Sequence, residues 1–156
     1  MTNASLASRT NQKIDTARRF IRQSQDSDEQ WLSIGLSSSA LFQLRSALNG
    51  LLNEVTTAYS LSASLDIVAL QAETEAKGIV VPVINELSSL WKQRDSWVYQ
   101  LEQAYLVQLE SRSASPSVVD SGDLIGRGGD AGASASFYLT QLVELVLRFR
   151  EESSEY

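Results

Sequence analysis

The 156-residue chain contains neither cysteine nor histidine. Without cysteine it has no disulfide, no thiol nucleophile and no thiolate metal ligand. Without histidine it lacks the commonest general base and the commonest metal ligand. These absences exclude Ser-His-Asp triads, Cys-His pairs, zinc-finger ligand sets and the Glu-x-x-His di-iron site of helical bundles. We therefore expect a protein that is not an enzyme and binds no metal or cofactor, with an all-carboxylate site as the remaining catalytic alternative.

The sequence also lacks an apolar run of the roughly 18 residues that would cross a membrane. No hydrophobic segment precedes the first charges of MTNASLASRTNQK, so no signal peptide is indicated. We therefore expect a cytoplasmic protein that does not contact a membrane. The length is that of one domain, and residues 1–156 are predicted to form a single helical domain.

Basic residues are outnumbered, and they are unevenly placed. The formal net charge of −6 argues against nucleic acid as a partner, because proteins that bind it present a basic surface. Residues 1–25 nevertheless hold five basic residues and one acidic residue, a net charge of +4. Within them Arg18, Arg19 and Arg22 share one flank of a predicted helix and form the candidate interaction surface, for a small anion or an acidic partner. The alternative is that these arginines only solvate the helix and bind nothing, since Asp15 precedes two of them at the spacing of intrahelical ion pairs.

Apolar residues recur at spacings of three and four along most of the chain, and no segment alternates as a strand does. A first helix is predicted from Ser8 or Thr10 to about residue 25, after a frayed N-terminus of residues 1–7. The clearest helix lies within residues 29–60, whose packing seam consists of Leu41, Leu44, Leu48, Leu51, Val55 and Ala58.

Two further helical regions follow. One is predicted over residues 64–77 and ends at Gly78. The other is predicted over residues 82–111, either as one helix or as two helices divided near Asp95 or Ser96.

Residues 112–134 are predicted to be a flexible loop, because five of the eight glycines of the chain lie there and no period survives. The stretch GDLIGRGGDAG has glycines that suggest a phosphate-binding loop. A P-loop, however, requires lysine and then serine or threonine after its last glycine, and here Arg127 and Gly128 follow Gly126. We interpret the segment as a linker.

The last helix is predicted over residues 135–152 and has an unusually broad apolar face, which Val143 and Leu147 extend. This helix could dock in its own bundle, swap into a neighbouring copy or bind a partner. Since each helix carries an apolar stripe that only packing removes from water, the fold is predicted to be all-α. It is a helical bundle of four to five helices with a long flexible Gly/Ser-rich loop before the C-terminal helix.

The remaining chemistry-bearing side chains are interpreted as structural. The tryptophans and tyrosines lie mostly on apolar helix sides and are expected in the core, rather than on a platform for single-stranded nucleic acid. The C-terminal REESSEY is expected to be solvated, as are the acids that could be imagined as a metal or acid–base set: Glu73, Glu75, Glu86, Glu102 and Glu110.

Three stretches carry a family resemblance: SRTNQK at 8–13, ALFQLRSALNGLLNEVTTAY at 40–59, and DSWVYQLEQAY at 95–105. They resemble a family of small uncharacterised gammaproteobacterial proteins that is known as a domain of unknown function. The resemblance implies a soluble helical protein and no established activity, and no functional residue is carried over from it.

Together these observations predict a non-enzymatic cytoplasmic helical interaction or accessory protein. Its partner is expected to be another protein or a further copy of itself, and neither nucleic acid nor membrane. The alternative is a helical bundle that binds a small apolar metabolite or lipid. An enzyme that uses carboxylates alone is the least favoured.

Overall fold

The computed structural model describes residues 2–111 and 123–154, with side chains from residue 134 onward in the second segment. These residues form helices and no strand, which confirms the predicted all-α class. The helices are α1 (Asn3–Asp26), α2 (Gln30–Ala58), α3 (Ile67–Lys77), α4 (Pro82–Trp91), α5 (Trp97–Leu109) and α6 (Asp123–Ser154).

The six helices of the described residues exceed the predicted four to five, because residues 82–111 form two helices. The division occurs at Ser96, whose hydroxyl accepts a hydrogen bond from the amide of Tyr99 and so caps α5. The same hydroxyl donates to the carbonyl of Leu90 near the end of α4. One side chain therefore ends one helix and begins the next.

Helix α1 begins earlier than the predicted start at Ser8 or Thr10. The hydroxyl of Thr2 accepts a hydrogen bond from the amide of Ser5 at 3.2 Å, which is an N-cap. This corrects the predicted frayed segment of residues 1–7, since the chain is helical from Asn3. The cap was overlooked because the first apolar period of the sequence starts several residues later.

Helices α1 and α2 form an antiparallel hairpin with an unusually close approach. A Cβ atom added at Gly50 of α2 would lie 2.6 Å from the Oγ1 of Thr10 on α1. At the other end of the hairpin the Oγ of Ser24 lies 2.7 Å from the Oγ of Ser37. Buried alanines of both helices, including Ala17 and Ala40, lie between these two contacts. Small side chains therefore allow the two helices of the hairpin to pack closely.

The connection between α3 and α4 follows the predicted signals. Asp66 caps the start of α3 by accepting from the amide of Val68 at 2.9 Å. Gly78 ends α3 in the left-handed conformation, with φ of 65°. Pro82 occupies the first turn of α4, where its missing N–H group costs nothing.

Helix α6 contributes one large part of the core. It contacts α1, α2, α4 and α5 of its own chain, and it includes the whole of the predicted last helix, residues 135–152. Its helical backbone begins at Asp123, within the segment predicted as a loop, whereas residues 112–122 of that predicted loop lie outside the described residues. Its buried side chains are Ala135, Tyr138, Leu139, Leu142, Leu145, Val146 and Phe149.

Candidate functional site

A surface groove of about 300 Å³ lies between α1 and α6. We call it the α1–α6 groove. Helix α1 lines it with Asn11, Ile14, Asp15 and Arg18, and helix α6 with Val143, Val146, Leu147 and Arg150. Aliphatic side chains form its floor, and polar side chains form much of its rim.

Arg150 closes one end of the groove and fixes its geometry. Its Nε and Nη2 atoms donate to the two carboxylate oxygens of Glu54 on α2, at 3.1 and 3.2 Å. Its Nη1 donates to the Oδ1 of Asn11 at 2.8 Å, and its Nη2 also donates to the carbonyl of Ala7 at 3.2 Å. Glu54 is only 5% exposed. One guanidinium therefore joins α6 to α1 and α2, and it is committed to structure rather than to a ligand.

The C-terminal REESSEY was predicted to be solvated, and this clamp corrects that prediction for its first residue, Arg150, whereas Glu151 and Ser154 are exposed. Sequence reasoning also missed Glu54. The available signal was that Glu54 follows Leu51 by three residues, which places an acid on the inward side of α2. Nothing local indicated the partner, which lies 96 residues away.

The structure separates the three arginines predicted to act together. The Nε of Arg19 donates to the Oδ2 of Asp15 at 3.1 Å, and these two exposed residues are one helical turn apart. Arg18 lines the groove, and Arg22 lies one turn further along the same side of α1. Neither Arg18 nor Arg22 has an ion pair among the described residues. The predicted basic flank therefore keeps two charges without an ion pair, of which Arg18 lines the groove and Arg22 lies one turn beyond it.

Part of the apolar lining of the groove is left uncovered by the rest of the bundle. Val143 is half-buried against the core, whereas Leu147 is 58% exposed. Both residues widen the apolar face of α6 beyond the part that the bundle covers, as their positions in the sequence suggested. The groove thus offers an apolar contact flanked by positive charge.

A second, smaller pocket of about 200 Å³ lies among α2, α3, α4 and α5. We call it the Trp91 pocket. Arg45 and Glu102 form an ion pair in its wall, and Arg45 also donates to the Oδ1 of Asn49. This corrects the expectation that Glu102 is solvated. The other lining residues are Leu48, Leu65, Asp66, Ile67, Trp91 and Val98.

The other acids named from the sequence do not converge. Glu73 accepts hydrogen bonds from the amide of Ser62 at 2.9 and 3.1 Å. The Ser62 hydroxyl, and then its amide, lower the pKa of the Glu73 carboxyl group. Glu86 pairs with Arg148, and Glu75 accepts from the side-chain amide of Gln71. Over the described residues no group of three or more acidic side chains is placed to hold a metal ion.

An apolar and acidic surface lies where α1 turns into α2. We call residues 26–34 the α1–α2 tip. Trp31 is 72% exposed there, which corrects the expectation that the tryptophans lie in the core, although Trp97 is buried. Ile34 is also exposed, and the exposed acids of the tip are Asp26, Asp28 and Glu29. Trp31 precedes the leucine seam of α2 and does not share its face, which is the signal that could have placed it outside.

Across the part of the chain that the structure describes, no helix is both long enough and apolar enough to cross a membrane.

Comparison with known proteins identifies the family without naming an activity. Searches of the curated proteins and of the solved structures each returned no match. The model of one family, described as "Family of unknown function (DUF6586)", matches residues 1–156. This result agrees with the resemblance to an uncharacterised family that the helix-packing stretches carried. Since the match spans the whole chain, the chain belongs to the Family of unknown function (DUF6586).

Proposed function

We propose that the protein is a non-enzymatic helical interaction protein of the bacterial cytoplasm. Its binding surface is the α1–α6 groove, and its partner presents an apolar side chain flanked by carboxylates. The proposal depends on one observation above all, which is that Leu147 is 58% exposed beside an arginine without an ion pair.

The energetics favour burial of this site by a partner. Covering a leucine side chain fully is worth about 1.5–3 kcal/mol relative to leaving it in water. The floor formed by Ile14, Val143 and Val146 extends that apolar contact. An apolar centre with a polar rim is the usual composition of an interface that forms between separate proteins.

The charge of the groove selects the partner. Asp15 pairs with Arg19, so Arg18 leaves a positive charge in the lining of the groove, and Arg22 adds a second one turn further along α1. Carboxylates on the partner would be attracted during approach and could form charge-assisted hydrogen bonds with Arg18 after docking. A basic partner would be repelled.

Capture from the native host tests this proposal. Leu147→Glu and Arg18→Glu are compared with wild type by affinity purification and mass spectrometry. Val68→Glu serves as the matched control, because Val68 is also 58% exposed but lies on α3, away from the groove. We expect each groove variant to lose at least about tenfold of the specific partner, equivalent to about 1.4 kcal/mol, and the control to retain it. Equal recovery by all four proteins, with unchanged circular dichroism, would contradict the proposal.

The Trp91 pocket supports a second candidate, the binding of a small apolar ligand. Its volume of about 200 Å³ lies below the roughly 300–1,000 Å³ of most ligand pockets, so a ligand would have to be small. A thermal-shift screen of metabolites and lipids tests this function. A ligand at a hundredfold excess over its Kd would stabilise the protein by about 2.7 kcal/mol. A flat response across the screen would contradict it.

A further inference from the structure

We propose that the α1–α2 tip of one copy binds in the α1–α6 groove of a second copy, so that copies associate head to tail. This inference rests on the proposed function of the groove and names its occupant. The two surfaces belong to the same chain and have opposite charge.

The tip has the chemistry that the groove selects. No basic residue occurs between Arg22 and Arg45. Asp26, Asp28 and Glu29 are exposed, and none has an ion pair within the described residues. Shortly after them in the chain, Trp31 offers an exposed indole ring, and tryptophan is among the residues that contribute most to protein interfaces.

The groove has the complementary size and charge. Its volume of about 300 Å³ corresponds to roughly ten water molecules at ~30 Å³ each, which is room for an aromatic ring and a neighbouring aliphatic side chain. Arg18 lines the groove beside the apolar floor, with Arg22 one turn further along α1, where they can meet the carboxylates that precede Trp31 in the chain of a neighbour. The exposed Trp31 of the tip therefore matches the apolar floor of the groove, and the acids of the tip match the arginines of α1.

The distribution of charge favours this orientation over others. Residues 1–25 carry a net charge of +4 although the whole chain carries −6. Two copies therefore repel each other in most arrangements, whereas the basic side of α1 attracts the acidic tip of a neighbour.

The tip of a chain cannot occupy its own groove. Ile14 and Asp26 are twelve residues apart on α1, which is about 18 Å along a helix that rises 1.5 Å per residue. The tip is also held in place, because the hydroxyl of Ser24 bonds to that of Ser37 at 2.7 Å and the hydroxyl of Ser33 donates to the carbonyl of Ser24 at 2.9 Å. The contact must form between copies. Copies joined head to tail, with a single tip-to-groove contact between each pair of neighbours, form rings or open chains rather than a closed dimer.

Sedimentation velocity on the full chain tests the inference. The proteins are wild type, the tip variant Trp31→Glu, the groove variant Leu147→Glu and the control variant Val68→Glu. We expect the average mass of wild type and control to rise with concentration beyond that of a dimer. Each of the other two variants alone should remain monomeric, because one of its two surfaces is blocked.

An equimolar mixture of the tip variant and the groove variant gives the decisive result. One intact tip then meets one intact groove, so the mixture should form dimers and nothing larger. Charge reversal supplies an independent check: Asp28→Arg and Arg18→Asp should each weaken association of the otherwise unchanged protein, and combining them in one chain should restore part of it. Added salt should weaken the wild-type association.

The outcomes separate this inference from the function on which it rests. A wild-type protein that stays monomeric at all concentrations overturns the head-to-tail contact, even where the groove still captures another protein. A mixture of the two variants that stays monomeric, or a tip variant that associates as wild type does, also overturns it. Self-association that requires both surfaces supports it, whether or not another protein is captured.

Discussion

Gly50 determines how closely α2 can approach α1. A Cβ atom there would lie 2.6 Å from the Oγ1 of Thr10 and 3.3 Å from its Cα, and Thr10 is completely buried. Relief would require movement of the α1 backbone and not only of a flexible side chain. The residue is therefore glycine for a reason of packing, although glycine is a poor helix former.

We expect Gly50→Ala to destabilise the protein by about 1–2 kcal/mol, because overpacking costs about 1–3 kcal/mol and the gain in helix propensity offsets part of it. Gly35→Ala is the matched control in the same helix, since no atom lies within 4 Å of its added Cβ. The control should be neutral or stabilised by up to about 1 kcal/mol. Urea denaturation measures both. Equal midpoints for the two variants would show that the helices are not in close contact at Gly50.

Arg150 offers a second prediction at the scale of single residues. Replacing it by methionine leaves the carboxylate of Glu54 buried without its charged partner. We expect Arg150→Met to cost about 2–4 kcal/mol, since loss of one member of a buried pair costs about 3–5 kcal/mol and Arg150 is partly exposed. Chemical denaturation gives the value.

The matched control for Arg150 is Arg148→Met on the same helix. Arg148 pairs with Glu86, but both side chains are more than one third exposed. An exposed pair is worth about 0–1 kcal/mol, so this variant should unfold nearly as wild type does. In Arg150→Met, a further Glu54→Leu change should recover part of the loss by removing the unpaired charge. A loss no larger than that of Arg148→Met would mean that the clamp does not stabilise the bundle.

At the scale of helices and loops, local signals predicted most of the boundaries. Gly78, Pro82 and Ser96 affect only the backbone of their own helix ends, so their positions in the sequence indicate where helices end and begin. The early start of α1 was missed because its first turns contain few apolar residues. The hydrogen bond from Arg150 to the Ala7 carbonyl also stabilises those turns. Because Arg150 lies 143 residues away in the sequence, local helix propensity could not predict this contact.

The candidate site was predictable in its parts but not in its assembly. The sequence indicated the basic flank of α1 and the broad apolar face of α6 separately. That Arg18 and Leu147 border one groove depends on how α6 crosses the α1–α2 hairpin, which is a result of tertiary packing. The exposure of Trp31 has the same origin, since composition alone favours a buried tryptophan.

The loop between α2 and α3 carries a prediction about pH. The amide of Ser62 donates to both carboxylate oxygens of Glu73. The Ser62 hydroxyl, together with this amide, lowers the pKa of Glu73 below its ordinary value. A lowered pKa in the folded state means that the ionised carboxylate contributes stability above the ordinary pKa. This contribution is lost as the pH falls through the folded value.

We therefore expect the Ser62 amide to exchange its hydrogen faster as acid protonates Glu73. A Glu73→Gln variant should lack this acid-dependent step, and the carboxyl resonance of wild type should titrate below the range of an unstructured glutamate. Amide exchange and carbon-detected NMR measure the two effects. A Glu73 resonance that titrates in the ordinary range would show that the bond to Ser62 does not form in solution.

For the whole molecule, the described helices share one core to which α6 contributes a large fraction. The α1–α2 hairpin supplies the longest apolar seam, but on its own it would leave that seam open on the side that α6 covers. Outside this core, eleven large apolar side chains of the described residues are exposed, among them Trp31, Val80 and Leu147. The architecture thus closes most of its apolar surface within one chain and leaves limited areas for contact.

Deletion of α6 tests whether the bundle is a single cooperative unit. Besides Tyr138, five large and wholly apolar side chains of α6 are buried, namely Leu139, Leu142, Leu145, Val146 and Phe149. At about 1.5–3 kcal/mol each, their burial is comparable with the entire net stability of an ordinary domain, about 5–15 kcal/mol. We therefore expect a chain that ends at residue 111 to keep helical circular dichroism but to lose its near-ultraviolet signal and to bind a hydrophobic dye. A synthetic peptide of residues 134–154 should restore the signal, and the same peptide with Leu142→Glu should not, because Leu142 is completely buried. Cooperative unfolding of the shortened chain, with a native near-ultraviolet spectrum, would mean that the remaining helices form a complete core without α6.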